Sequence, residues 1–126
     1  MTLRMRRLAL TAAAALGAAV FAVPASASAS TTSDPATWPC DPSEFCIYHD
    51  VQGGGSHLSL ADGVYDLGGV AGGLNDHVYS VKNISGDNWC LYKDAGYENR
   101  LLLIPDGAAM DLDAGLAGQV SSVEDC

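Results

Sequence analysis

Basic residues are scarce, and half of them sit at the amino terminus. Arg4, Arg6 and Arg7 come first, and only Lys82, Lys93 and Arg100 follow. All 15 acidic residues lie at Asp34 or later, so the chain beyond residue 29 carries a formal charge of −12. A surface of that sign repels phosphate backbones and anionic headgroups, which removes nucleic acid and membranes from the expected partners. Cations and positively charged protein faces stay compatible, as does the plain role of keeping the chain in solution. Catalytic patterns are also missing. His49, His57 and His77 form no His-x3-His pair and no zinc pattern, and no Gly-x-Ser-x-Gly elbow occurs. The composition therefore points to a binding protein and not an enzyme, with no cofactor required.

One apolar run of length exists, residues 8–23, behind the three arginines. It is shorter than the ~20 residues that span a bilayer. Pro24 and an Ala/Ser alternation follow, and Ala25-Ser26-Ala27 and Ala27-Ser28-Ala29 both fit the small-x-small cleavage rule. Residues 1–29 are thus expected to be a removed export signal, and the remainder a secreted, extracellular chain. Four cysteines, an even number in an exported chain, read as two disulfides. Three connectivities are open at this point.

Residues 30–39 are polar and Pro-containing and are expected to form a flexible arm. The rest is a repeat. FCIYHD from Phe45 aligns with WCLYKD from Trp89, pairing Cys46 with Cys90, Tyr48 with Tyr92 and Asp50 with Asp94. Asp62-Gly63 aligns with Asp106-Gly107, and VYSV at 78–81 with VSSV at 120–123. Short runs crowded with aromatic, aliphatic and thiol side chains suit buried strands. His57–Leu60 and Arg100–Ile104 supply a second strand in each copy, each followed by the Asp-Gly pair that favours tight turns. The Gly-broken stretches YDLGGVAGGL and MDLDAGLAG read as short strands with wide loops. The expectation is an all-β Greek-key sandwich of two repeated four-stranded motifs, at about 40–84 and 88–126.

The spacing aromatic-x4-aromatic-x-Gly, followed by an (Asn/Asp)-(Asn/Asp)-x-x-(Ser/Thr)-Ser element, resembles the βγ-crystallin motif. With CDPSEFCIYHD and LYKDAGY, the stretch 40–126 is similar to a secreted bacterial branch of that fold, the metalloproteinase inhibitors of peptidase inhibitor family thirty-six. Both copies depart from the pattern. Gly53 stands where the first copy needs its second aromatic, while Gly55 keeps the required glycine. The second copy keeps Tyr92 and Tyr97 but has Asn99 at the glycine position, a residue that tolerates positive φ. The first hairpin, Gly53-Gly54-Gly55, is expected to be the looser one.

The resemblance implies a disulfide Cys40–Cys46 closing a short loop and a disulfide Cys90–Cys126 tying the second copy's first strand to its last. It implies a hybrid calcium site from Asn75, Asp76 and Ser121 with nearby carbonyls, and weak binding, since Tyr79 replaces one hydroxyl ligand and Ala117-Gly118 replaces both acids of the mirror site. Asn75-Asp76 also suits a turn cap, and Ser80 and Ser122 suit bonds to backbone. The resemblance further implies a monomeric inhibitor of a secreted zinc protease. Thermolysin-like enzymes favour a large apolar residue after the scissile bond, which Cys90-Leu91 and Arg100-Leu101 offer, so Leu91 and Leu101 are the candidate contacts. Leu91 suits a core strand position better than a contact. The Cys-x4-Cys loop that presents the bond in the inhibitor resembled is absent from the second half. The alternative function is a calcium-binding or structural extracellular module; a carbohydrate or cell-surface partner is a third. Asn83-Ile84-Ser85 matches a glycosylation tripeptide, to which no role is assigned.

Overall fold

A computed structural model describes residues 33–126. The expected export signal and the first residues of the arm lie outside the described residues. Strands β1 (Phe45–Tyr48), β2 (His57–Leu60), β3 (Ser80–Asn83), β4 (Trp89–Asp94), β5 (Glu98–Ile104), β6 (Ala109–Asp111) and β7 (Ser122–Asp125) form two antiparallel sheets. Their orders are β2-β1-β3-β6 and β5-β4-β7. The copies exchange edges. Strand β6 of the second copy pairs with β3 of the first, and Val64 of the first copy bridges Val123 of the second. Neither copy completes its sheet alone.

Alternation along the repeated strands builds the core. Phe45 and Ile47 point between the sheets from β1, Trp89 and Leu91 from β4, and all four are buried. The repeat-equivalent rings of Phe45 and Trp89 stack at 4.6 Å with planes 11° apart, so the two copies meet through matching residues. The second disulfide runs from β4 to the residue beyond β7: Cys90–Cys126, with Cα atoms 5.9 Å apart. The first, Cys40–Cys46, closes a short loop at 5.7 Å. With sequence separations of 36 and 6 residues, loop-closure entropy assigns them about 4 and about 2 kcal/mol.

Each hairpin folds back over its sheet and is held by a buried serine. Ser80 Oγ donates to the Asp50 carbonyl (2.6 Å) and accepts from the Gly53 amide (2.9 Å). Ser122 Oγ donates to the Asp94 carbonyl (2.5 Å) and accepts from the Tyr97 amide (3.1 Å). The backbones match as well. Gly53 and Tyr97 have φ 70° and 62°, and Gly55 and Asn99 have φ 73° and 59°. Asn99 accordingly takes the left-handed conformation its position demands.

Several expectations need correction. Residues 33–39 are docked, not loose. A 3-10 turn at Pro35–Thr37 is capped by Asp34, and Trp38 is buried against Tyr48, edge-on at 5.6 Å. Ser33 donates two hydrogen bonds to Gln52 on the hairpin, from its amide to Oε1 and from its hydroxyl to the carbonyl. The Tyr48 hydroxyl donates to the Pro39 carbonyl, and Lys82 Nζ donates to the Pro35 carbonyl. The first hairpin is not loose either. Gly53 is buried under the Trp38 ring, and its missing side chain is the space that ring occupies. A Cβ there would lie 2.3 Å from Trp38 Cγ. Trp38 thus supplies from the arm the aromatic that position 53 lacks.

The Gly-broken stretches are only partly strand: Met110 and Asp111 belong to β6, while Leu67–Gly69, capped by Asp66, form a 3-10 turn and Ala114–Ala117 the short helix α1. Their apolar residues Leu67, Leu74, Leu112 and Ala117 close the ends of the core. The final strands begin two residues later than VYSV and VSSV, because Val78 and Tyr79 bond to Ala117 and Tyr48 across the turn before the ladder starts.

Two outcomes test this packing. Gly53→Ala combines a ring clash with an unfavourable φ, and urea unfolding should show a loss of at least about 2 kcal/mol. Gly107→Ala, at φ 88° in open space, should lose only about 1 kcal/mol. Burial pushes the Tyr48 hydroxyl from 10.0 up to about 12. Stability from neutral Tyr48 is therefore complete below about pH 10 and lost as pH rises through about 12. Tyr48→Phe should remove that part of the alkaline unfolding followed by circular dichroism, at a cost of about 1 kcal/mol at neutral pH for the bond to Pro39.

Candidate functional site

No concave pocket exists among the described residues, so the candidates are loops, edges and faces. The hairpin of β4 and β5 is the most prominent. Its outer strand, β5, is a sheet edge of seven residues, paired to β4 on one side. The register slips between Leu91 and Tyr92: Leu91 faces Leu102 while Tyr92 faces Arg100. Leu101 is the extra residue of a β-bulge, a device that breaks up an edge and re-aims a side chain. Leu101 is half-buried against the core, and Leu103 is 39% exposed on the outer side. The two residues selected for protease contact therefore part company. Leu101 lies at the surface of the edge strand. Leu91 does not: it is fully buried in the central strand β4, and its selection as a contact is corrected. The aliphatic run LLLI hides the bulge in the sequence, and with it the exposure of Leu103, which lies opposite Cys90.

The calcium residues come together only in part. Asp76, at φ 61°, sits beside the second copy's turn. Its amide donates to the Val120 carbonyl, and Ser121 Oγ lies 3.4 Å from Asp76 Oδ1. The Asn75 amide donates to Asp76 Oδ2 at 3.3 Å. One carboxylate, one hydroxyl and one amide oxygen within a turn are hard-cation donors, and the low charge suits weak affinity. The mirror position lacks donors: Ala117 is buried in α1, and Gly118 ends that helix. Among the described residues, no three His, Cys, Asp or Glu side chains cluster to hold a metal.

The outer face of the β5-β4-β7 sheet carries Tyr92, Tyr97 and, from the Val64 bridge segment, Tyr65. Successive rings meet edge-on at 5.8 and 5.6 Å. Partial burial, and after it the Glu124 carboxylate, pushes the hydroxyls of Tyr92 and Tyr97 upward, and Arg100 opposes this at Tyr92. Asn83, by contrast, is consumed by structure. It is fully buried; its amide donates to the Asp87 and Ile104 carbonyls, and its Oδ1 accepts from the Ser85 amide and hydroxyl.

Comparison with known proteins follows this architecture. A structure determined in work on the evolution of the eye lens βγ-crystallin domain fold superposes with TM-score 0.61 at 26% identity, covering 68% of this chain and 86% of that one. A βγ-crystallin from Ciona intestinalis gives TM-score 0.55 at 24% identity, covering 66% and 99%. A βγ-crystallin domain from Clostridium beijerinckii gives 0.55 at 21%, covering 65% and 95%. The fold is therefore the all-β Greek-key fold of βγ-crystallin domains. No curated protein matches the sequence. Two disulfides are consistent with an extracellular protein, and among the described residues no helix is long and apolar enough to cross a membrane. Residues 33–104 match peptidase inhibitor family I36. That match spans more than half of the chain and runs from the docked arm to the end of the edge strand β5, and by it the protein belongs to peptidase inhibitor family I36.

Proposed function

We propose that the protein is a secreted, monomeric inhibitor of an extracellular zinc metalloprotease and that it presents β5 to the enzyme. The observation that carries this is the edge position of β5, a seven-residue extended segment with Leu101 at a bulge and Leu103 exposed. Protease clefts hold substrates as extended strands through main-chain hydrogen bonds, as sheet edges accept added strands. A large apolar side chain then fills the adjacent pocket. Strand β5 is held by β4, and β4 is tied through Cys90–Cys126 to the end of the chain, so little conformational freedom is left to lose on binding.

The oxidised protein, titrated against a thermolysin-class protease, should inhibit reversibly and be recovered intact. Leu103→Asp and Leu101→Asp should each weaken inhibition by at least about 2 kcal/mol, because anchors sit in desolvated pockets. Leu91→Asp should instead unfold the domain by burying a charge. Failure of micromolar protein to slow any thermolysin-like, serine or cysteine protease would remove this reading.

The 3.4 Å approach of Ser121 to Asp76 supports a second reading, a weak calcium module. Asn75, Asp76 and Ser121 would hold the ion with carbonyls of the two turns, and the ion would cross-link the copies. Binding should fall in the ~10⁻⁴ M class. Asp76→Ala should abolish it, and Tyr79→Ser should tighten it. Isothermal titration without heat at millimolar calcium, with an unchanged melting temperature, counts against it.

A further inference from the structure

We propose that the tyrosine cluster on the outer face of the β5-β4-β7 sheet docks an arginine- or lysine-rich segment of a partner protein. This rests on other residues than the protease reading and stands apart from it.

The two sheets treat their outer faces differently. On the first, the ring over Tyr48 is Trp38, and the chain's own segment from Ser33 covers the face. On the second, no such segment lies over Tyr92 and Tyr97 among the described residues. The outermost ring there is Tyr65, 66% exposed and the most exposed large hydrophobic residue described.

Tyr65 is nevertheless fixed. Val64, before it, exchanges both backbone bonds with Val123 (2.8 and 3.2 Å), and the Tyr65 carbonyl accepts from the Gly96 amide at 2.9 Å. Its ring meets Tyr97 edge-on, 81° between planes. Gly63 permits the cluster, because a Cβ there would lie 2.7 Å from Glu124 Cβ and 3.0 Å from the Tyr97 hydroxyl. An exposed aromatic whose backbone is tied and whose ring leans on a neighbour loses less entropy on binding than a free one, and tyrosine is enriched among interface hot spots.

Charge selects the occupant. Glu124 and Asp125 lie close enough to bear on the Tyr97 hydroxyl, and the chain from Asp34 on carries 15 acids against three bases. Arg100 is on the same face, where it bears on the Tyr92 hydroxyl with its Nη1 3.8 Å from Cys90 Sγ, and it stands against the two carboxylates of Glu124 and Asp125. Tyrosine faces beside carboxylates favour a guanidinium or ammonium through both the ring quadrupole and Coulomb attraction. A neutral sugar would use the rings alone.

The test is fluorescence anisotropy of a labelled octa-arginine peptide with the oxidised protein at low salt. Tyr65→Ala should weaken binding about ten-fold or more, and Glu124→Gln about three-fold or more, both with unchanged circular dichroism. Asp41→Asn, in the Cys40–Cys46 loop, should change it less than two-fold. Equal losses in all three variants mean general charge attraction and overturn the proposal. So does unaltered binding by Tyr65→Ala, or no binding at millimolar peptide. Binding of a neutral oligosaccharide that Tyr65→Ala abolishes while the peptide is ignored also overturns it. The outcome is separable from inhibition, which Tyr65→Ala should leave unchanged.

Discussion

Two buried hydroxyls govern this molecule. Ser80 and Ser122 each replace solvent for one carbonyl and one amide of a hairpin that has folded over its own sheet. Without such a partner, those backbone groups would be desolvated and unpaired, at 1–3 kcal/mol apiece by the usual magnitude of about that range. The left-handed residues at 53 and 97 exist because the chain must turn sharply to reach the serine. Once down, each hairpin fixes an aromatic corner, and the corners define the two outer faces. One is closed by Trp38, the other left as a ring of tyrosines.

That dependence explains what was legible in the sequence. The repeat, the strands around FCIY and WCLY and the Greek-key class follow from side-chain alternation and equivalent spacing, both local. The loss of an aromatic at Gly53 was equally visible, but its compensation was not. Trp38 precedes Gly53 in the chain and looks like a lone aromatic among prolines, and only the fold brings its ring onto the bare backbone. The same limit applies at β5. Four consecutive aliphatic residues carry no mark of which is the bulge, so the place of Leu101 at a sheet edge was hidden, whereas the core position of Leu91 was readable from its strand. The pairing of Asp76 with Ser121 came from the family resemblance, because the two turns lie 45 residues apart in the chain and nothing local in either marks the other.

The exchange of edges between the copies has a mechanical side. Strand β6 and the Val64 bridge each complete the other copy's sheet, and the stacked pair Phe45–Trp89 sits at the join. Motion of one hairpin relative to the other would need both sheets to open. Such coupling keeps the outer faces and the β5 edge in one shape.

Asn83 carries a consequence for how the protein can be made. Its amide is buried and spends both hydrogens on carbonyls of the segment joining the copies and of β5, although the tripeptide it opens is an acceptor for sugar transfer. In a secretory pathway that glycosylates nascent chains, the modification precedes folding, and a sugar-bearing Asn83 has no room in the finished structure. Production in such a host sets two enzymatic clocks against each other, and only chains that fold ahead of the transferase reach the native state. A periplasmic route, or Asn83 protected by Ser85→Ala, avoids the race, the second at the expense of the hydroxyl that also receives the Trp89 indole.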